Sequence, residues 1–257
     1  MKKITTTTLA LITVATLAFP FKSAKAAVTK NERVLVVVSE LDSRGMQELR
    51  PLYQALEQLT QFTVQGILGN SYSRIEVVAN RDATYAEFKR ALKEIAREPG
   101  IRAIDVILSL HGLPGRLSFD DMTWNTSEME NRFYIGNTPQ DRVDRILLRR
   151  KLRMMYNLSC YGSSHRENFI GMGFKAVNGS IGVNANSEVE FVPALTAWAA
   201  GAGFKDAFNG SNSPLFIAAA DAPVRLAGQL ANNALKETNS MKVFSGDVSM
   251  KINSEVR

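Results

Sequence analysis

One cysteine and two histidines are the side chains of this 257-residue protein best suited to covalent chemistry near neutral pH. Cys160 stands in Tyr156-Asn-Leu-Ser-Cys-Tyr-Gly162, and His111 in Ile107-Leu-Ser-Leu-His-Gly112. A thiol attacks a carbonyl as its thiolate. It needs a base or cation nearby and donors for the oxyanion that forms. His111 can be that base. Gly112, having no side chain, can turn its N–H toward a substrate carbonyl, and the N–H of Cys160 can be the second donor. The rival base is His165, otherwise a surface residue in the first turn of a helix. The plainer alternatives are a small buried thiol at 160 and a hydrogen-bonded histidine at a strand end. With no second cysteine, no disulfide forms within the chain.

Elements of the right kind surround both residues. Arg33-Val-Leu-Val-Val-Val38 is a continuous apolar run, the mark of a strand covered on both faces. Met46, Leu49, Leu52, Tyr53, Leu56 and Leu59 recur at helical spacing over 44–60, with Pro51 kinking or opening that helix. Ile75–Ala79 reads as a second strand. Thr84-x-x-Glu87 is a capping box whose helix ends at Pro99-Gly100. The third strand is Ala103–Leu110. Thr138-Pro139 opens a helix to about Arg149, and Leu152–Ser159 is the fourth strand. Ser164-x-x-Glu167 reads as another capping box, opening a helix toward Phe174 with its positive end near the sulfur. Ala176–Val183 is the fifth strand; 191–209 and 222–237 read as helical and Met241–Met250 as an edge strand. Strands separated by helices predict an α/β fold, a mostly parallel sheet with helices on both faces. Functional groups in such sheets gather beyond the C-terminal strand ends, where His111-Gly112 and Cys160-Tyr-Gly162 both fall.

These two motifs, in this order and strand context, resemble the caspase-like cysteine peptidases, which include caspases, legumains, gingipains, clostripain and separase. In that superfamily a His-Gly follows the third strand and the nucleophilic Cys the fourth, with the His about 50 residues upstream of the Cys in the caspase pattern. The likeness extends over residues 33–184. It implies a three-layer sandwich and a Cys160–His111 dyad that hydrolyses peptide bonds, with Gly112 and Cys160 forming the oxyanion hole and with no metal or organic cofactor. The alternative is a catalytically inactive module that keeps the fold and binds a partner. The chain departs from the caspase pattern at Leu158 and Ser159, where Gln-Ala would stand, so cleavage after Asp is not implied. Metacaspases carry an acid where Leu158 stands. A distant bacterial member is the expectation. A periplasmic small-ligand binder ranks last, because it needs two hinged lobes and one continuous sheet is read here.

The resemblance implies that the loops after the first and fifth strands help to build the pocket for the residue before the scissile bond. Glu40 and Asp42 follow the first, and Glu188 and Glu190 the fifth. Carboxylates in a partly desolvated pocket would favour Arg or Lys before the scissile bond.

The net charge of +6 and pI of about 9.5 suggest a nucleic-acid binder at first sight. Four lysines and no acid fall within residues 1–26; without that segment 27 basic residues face 25 acidic ones, and nucleic acid is not an expected partner. Residues 1–26 read as a secretory signal peptide: Lys2-Lys3, an apolar stretch from Leu9 to Phe19, then Ala24-Lys25-Ala26. Export to the periplasm or beyond is expected, with 27–257 as a single domain carrying no transmembrane segment and a peptide or protein as substrate. The sequence assigns no oligomeric state. Arg145–Arg153 reads as a basic helix end running into a strand. Trp124, Phe133 and Tyr134 read as packing under a loop. The Asn-x-Ser patterns at Asn125 and Asn178 read as accidental.

Overall fold

The computed structural model describes residues 27–44, 47, 50–136, 138–185 and 187–255, the side chains of Ser187 and Glu188 excepted. The expected leader, and Met46 and Leu49 of the first helical pattern, lie outside the described residues.

The apolar run at the start of the domain becomes β1 (Arg33–Glu40), buried at every position. It lies between β2 (Arg74–Ala79) and β3 (Ala103–Leu113), parallel to both. The hairpin of β4 (Arg116–Ser118) and β5 (Thr123–Asn125) extends from the end of β3. Beyond β3 the sheet continues parallel through β6 (Leu152–Asn157) and β7 (Ala176–Ser180), and β8 (Lys242–Gly246) closes the edge antiparallel. The sheet order is therefore β2-β1-β3-β6-β7-β8.

Alternate residues of these strands feed two apolar layers, because strand side chains point to opposite faces in turn. Val34, Val36, Val38, Val106 and Leu108 pack against α2 (Tyr85–Arg97), α3 (Thr126–Phe133), α4 (Pro139–Lys151) and α5 (Arg166–Gly171). Leu35, Val37, Ile107, Met154 and Tyr156 pack against α1 (Arg50–Leu68), α6 (Ser187–Ala199) and α7 (Phe204–Phe208). After α7, α8 (Pro214–Phe216) runs through a π-helical turn into α9 (Ala222–Ala231). The expected α/β sheet with a helical layer on each face is what forms.

Local signals place the caps of α2 and α4. Thr84 Oγ1 accepts the Glu87 N–H at 3.1 Å, and Thr138 and Asp141 form a reciprocal box. The structure corrects three expectations. The helix read over 44–60 runs from Arg50 to Leu68, with Pro51 in its first turn, where a missing N–H costs no intrahelical bond. Ser164 does not cap a helix: its hydroxyl donates to Tyr161 O and accepts from Gly115 N, and α5 begins at Arg166. The segment after His111, where Trp124, Phe133 and Tyr134 read as packing under a loop, holds the β4–β5 hairpin and α3. Its tight turn places Pro114 ahead of Gly115, whose φ of +68° glycine tolerates without strain.

At the N-terminal end of the sheet, Arg153 is fully buried and holds Asp105 with both Nε and Nη2, while Tyr72 Oη donates to the same carboxylate at 2.8 Å. Asn178-Gly-Ser180 is a buried strand whose Asn178 Oδ1 accepts the Asn157 N–H, so its glycosylation pattern is accidental in the folded chain.

Candidate active site

The chain reverses its direction of travel across the sheet at β1. From β1 it moves outward to β2, then returns past β1 to β3. Parallel sheets bind ligands at this kind of switch point, beyond the C-terminal strand ends. Asn157, the last residue of β6, pairs in register with Leu108 of β3. Beyond that pair Leu158 N still donates to Leu108 O at 2.8 Å, and the turn that follows β6 carries Cys160 against Gly112, next to His111. The approach is close enough that a Cβ on Gly112 would overlap the Cys160 carbonyl oxygen. Glycine is therefore required at 112 for packing against the Cys160 turn, a different reason from the open approach to substrate that the sequence suggests.

His111 is held from two sides. Its Nε2 lies 2.7 Å from Leu41 O, and its ring meets Tyr53 edge-on at 4.9 Å between centroids. A carbonyl only accepts, so Nε2 carries the hydrogen and Nδ1 the lone pair. Burial holds the imidazole below its ordinary value of 6.5, against the opposing pull of the Leu41 carbonyl and Glu40, and His111 is neutral at neutral pH. The carbonyl is itself positioned. Glu57 of α1, almost fully buried, accepts the N–H groups of Leu41 and Asp42.

The turn bearing Cys160 is anchored at successive peptides. Asn157 Oδ1 accepts Ser159 N at 2.9 Å, and Asn184 Nδ2 donates to Leu158 O at 2.8 Å. Ser180 Oγ donates to Ser159 O at 3.1 Å. Tyr161 follows in the left-handed region, φ 53°, a conformation that costs a non-glycine residue about 1–3 kcal/mol. Its N–H donates to Gly182 O and its hydroxyl to Glu237. Cys160, half-buried just before this reversal, receives the Asn184 N–H at Sγ, 3.4 Å away.

His165 is no rival base. It is fully buried, with Nε2 donating to Leu113 O at 2.9 Å and Nδ1 facing Asn157 Nδ2 at 3.3 Å. It joins the chain just past His111 to the strand just before Cys160. Sequence reasoning missed this role, along with those of Glu57, Asn157 and Asn184. For Glu57 and Asn157 a signal existed: each is a polar residue on an otherwise buried stripe or strand.

His111 and Cys160 both line one cavity of about 250 Å³. Tyr53, Leu56 and Leu59 of α1 form one wall and Phe191 and Val192 of α6 the other, with Leu110 and Leu158 at the strand ends. Among the described residues no Asp, Glu, Lys or Arg lines it. The acids expected there are engaged elsewhere. Glu40 is buried and accepts the Ser43 N–H at 2.7 Å; Asp42 binds Arg50 and Gln54. Glu190 lies within α6 instead of in a loop, buried, accepting from Ser211 and paired with the buried Lys242 at 3.7 Å. The Glu188 side chain lies outside the described residues. Among the described residues, no cluster of three or more His, Cys, Asp or Glu could hold a metal, and no helix is long and apolar enough to cross a membrane.

Among solved structures, the chain is similar to the crystal structure of caspase-1 from Spodoptera frugiperda, at 11% identity over 87% of this chain and 90% of that one, with a TM-score of 0.47. No family model and no curated protein matches it.

Proposed function

We propose that this protein is a cysteine peptidase working through Cys160 and His111. One observation carries the reading: the only cysteine and a tautomer-fixed histidine, carried at the C-terminal ends of the adjacent strands β6 and β3, line one cavity.

The chemistry follows from the protonation states. Neutral His111 takes the thiol proton on Nδ1 as Sγ bonds to the peptide carbonyl carbon. The N–H groups of Cys160 and Gly112 hold the oxyanion. When the C–N bond breaks, the imidazolium returns its proton to the leaving amine. Neutral again, His111 deprotonates the water that hydrolyses the thioester. Leu41 O keeps the ring from flipping throughout.

The purified protein is to be tested on a quenched-fluorescence peptide library. Cys160→Ala should abolish cleavage, and His111→Ala should lower it about 10²- to 10⁴-fold, with unchanged circular dichroism. Because burial lowers the His111 value, kcat/KM should persist below pH 6.5 and fall only as protonation removes the Nδ1 lone pair. Equal cleavage by Cys160→Ala would overturn the mechanism.

A further inference from the structure

We infer that the cavity beside Cys160 receives one uncharged, apolar side chain, that of the residue whose carbonyl Cys160 attacks. The inference deepens the peptidase reading and rests on it only for the identity of the nucleophile.

Size comes first. At about 250 Å³ the cavity is smaller than the roughly 300–1,000 Å³ of drug-sized ligand sites and suits a single side chain. Position comes second. Cys160 is part of the wall, and the α-carbon of the attacked residue is one bond from the reacting carbonyl, so its side chain enters the cavity directly. Charge comes third. Leu56, Leu158 and Phe191 present hydrocarbon, and the polar side chains beside them, Tyr53, Thr60 and Thr63 of α1 with Ser109 and Asn184, carry no charge. A guanidinium, ammonium or carboxylate entering here would lose its hydration and find no counter-ion among the described lining residues. Glu40, Asp42 and Glu190, which would have answered a basic residue, are held by Ser43, by Arg50 and by Lys242 and Ser211 respectively. Leu59 and Val192 flank the cavity half-exposed, at 50% and 51%. An apolar guest would cover them.

The test needs no turnover. N-acetyl amino-acid chloromethyl ketones of Leu, Phe, Arg and Asp alkylate the thiol: the Sγ–C bond forms, chloride leaves and the thiol proton is lost. Second-order rate constants at Cys160 are measured by mass spectrometry and normalised to iodoacetamide. Leu and Phe should exceed Arg and Asp by about tenfold or more, the scale of burying one such side chain. Leu59→Asp and Val192→Asp, each at a half-exposed position that the fold tolerates, should both shrink that ratio at least about threefold. A protein that prefers Arg or Asp, or whose preference neither variant changes, overturns the inference even if it cleaves peptides. A protein showing the apolar preference while cleaving nothing keeps the cavity assignment and loses the peptidase reading.

Discussion

His165 shows how a residue's surroundings decide its chemistry. Its imidazole bridges Leu113 O and Asn157 Nδ2 in full burial, and that burial holds it below 6.5. Protonation would put a second N–H against the Asn157 amide, which is already a donor, so the acid form breaks the bridge between the His111 and Cys160 turns. In the unfolded chain the same histidine titrates near 6.5. Stability from this group is complete above that value and is lost as pH falls toward and through the lower folded value, at up to about 1.4 kcal/mol per pH unit, because the unfolded state binds the proton first. His165→Gln keeps a donor for Leu113 O and cannot titrate. Urea titrations between pH 7 and 5 should show a shallower acid-side loss for the variant than for the parent. Peptidase activity should survive in part, which it would not if His165 were the base. An unchanged slope would remove His165 from the pH response.

Two turns from different strands make the site, and their separation is set by glycine. A methyl on Gly112 would meet the backbone of Cys160, which cannot step aside as a flexible side-chain tip can. Gly112→Ala should therefore part the β3–β4 hairpin from the Cys160 turn. A displacement of about 1 Å at a catalytic group costs on the order of 10²-fold in rate, so kcat/KM should fall by that scale while the far-UV spectrum is kept. The comparison variant is Gly66→Ala on the exposed face of α1, where nothing lies within 4 Å of the added carbon. It should raise stability by about 0.5–1 kcal/mol and leave kcat/KM alone. Equal activity in both variants would show that the close approach at Gly112 is not needed. Element α1 also reaches the site indirectly, since Glu57 holds Leu41 and Leu41 holds His111.

Across the whole molecule the site is separate from the groups that secure the sheet's other end. Arg153, Asp105, Tyr72 and Trp198 form one buried network, and Arg153 also donates to Ser254 O, tying down the C-terminal segment. Six residue steps along β3, roughly 20 Å of extended strand, separate Asp105 from His111. Removing one partner of a buried pair strands the other charge, so Arg153→Met should cost about 3–5 kcal/mol in urea denaturation. Adding Asp105→Asn removes that charge and keeps an acceptor for Tyr72, and the double variant should recover more than half of the loss. Activity per folded molecule should match the parent in both. A double variant no more stable than the single one would show that the network acts by packing alone. Within the sequence, near neighbours carry the information for periodic and capped elements. Val34 to Val38 can only be a strand covered on both sides, Thr84 and Thr138 bond their own third neighbours, and both chemical motifs follow strand-like runs. What His165, Arg153, Glu40, Asp42 and Glu190 do was not legible there, nor which carbonyl fixes the His111 tautomer. His165 meets Leu113 across 52 positions and Arg153 meets Asp105 across 48. Glu190 meets Lys242 only because β8 doubles back along β7 beside α6. A titratable side chain takes its role from the dielectric and the partners around it, and packing across the sheet supplies both.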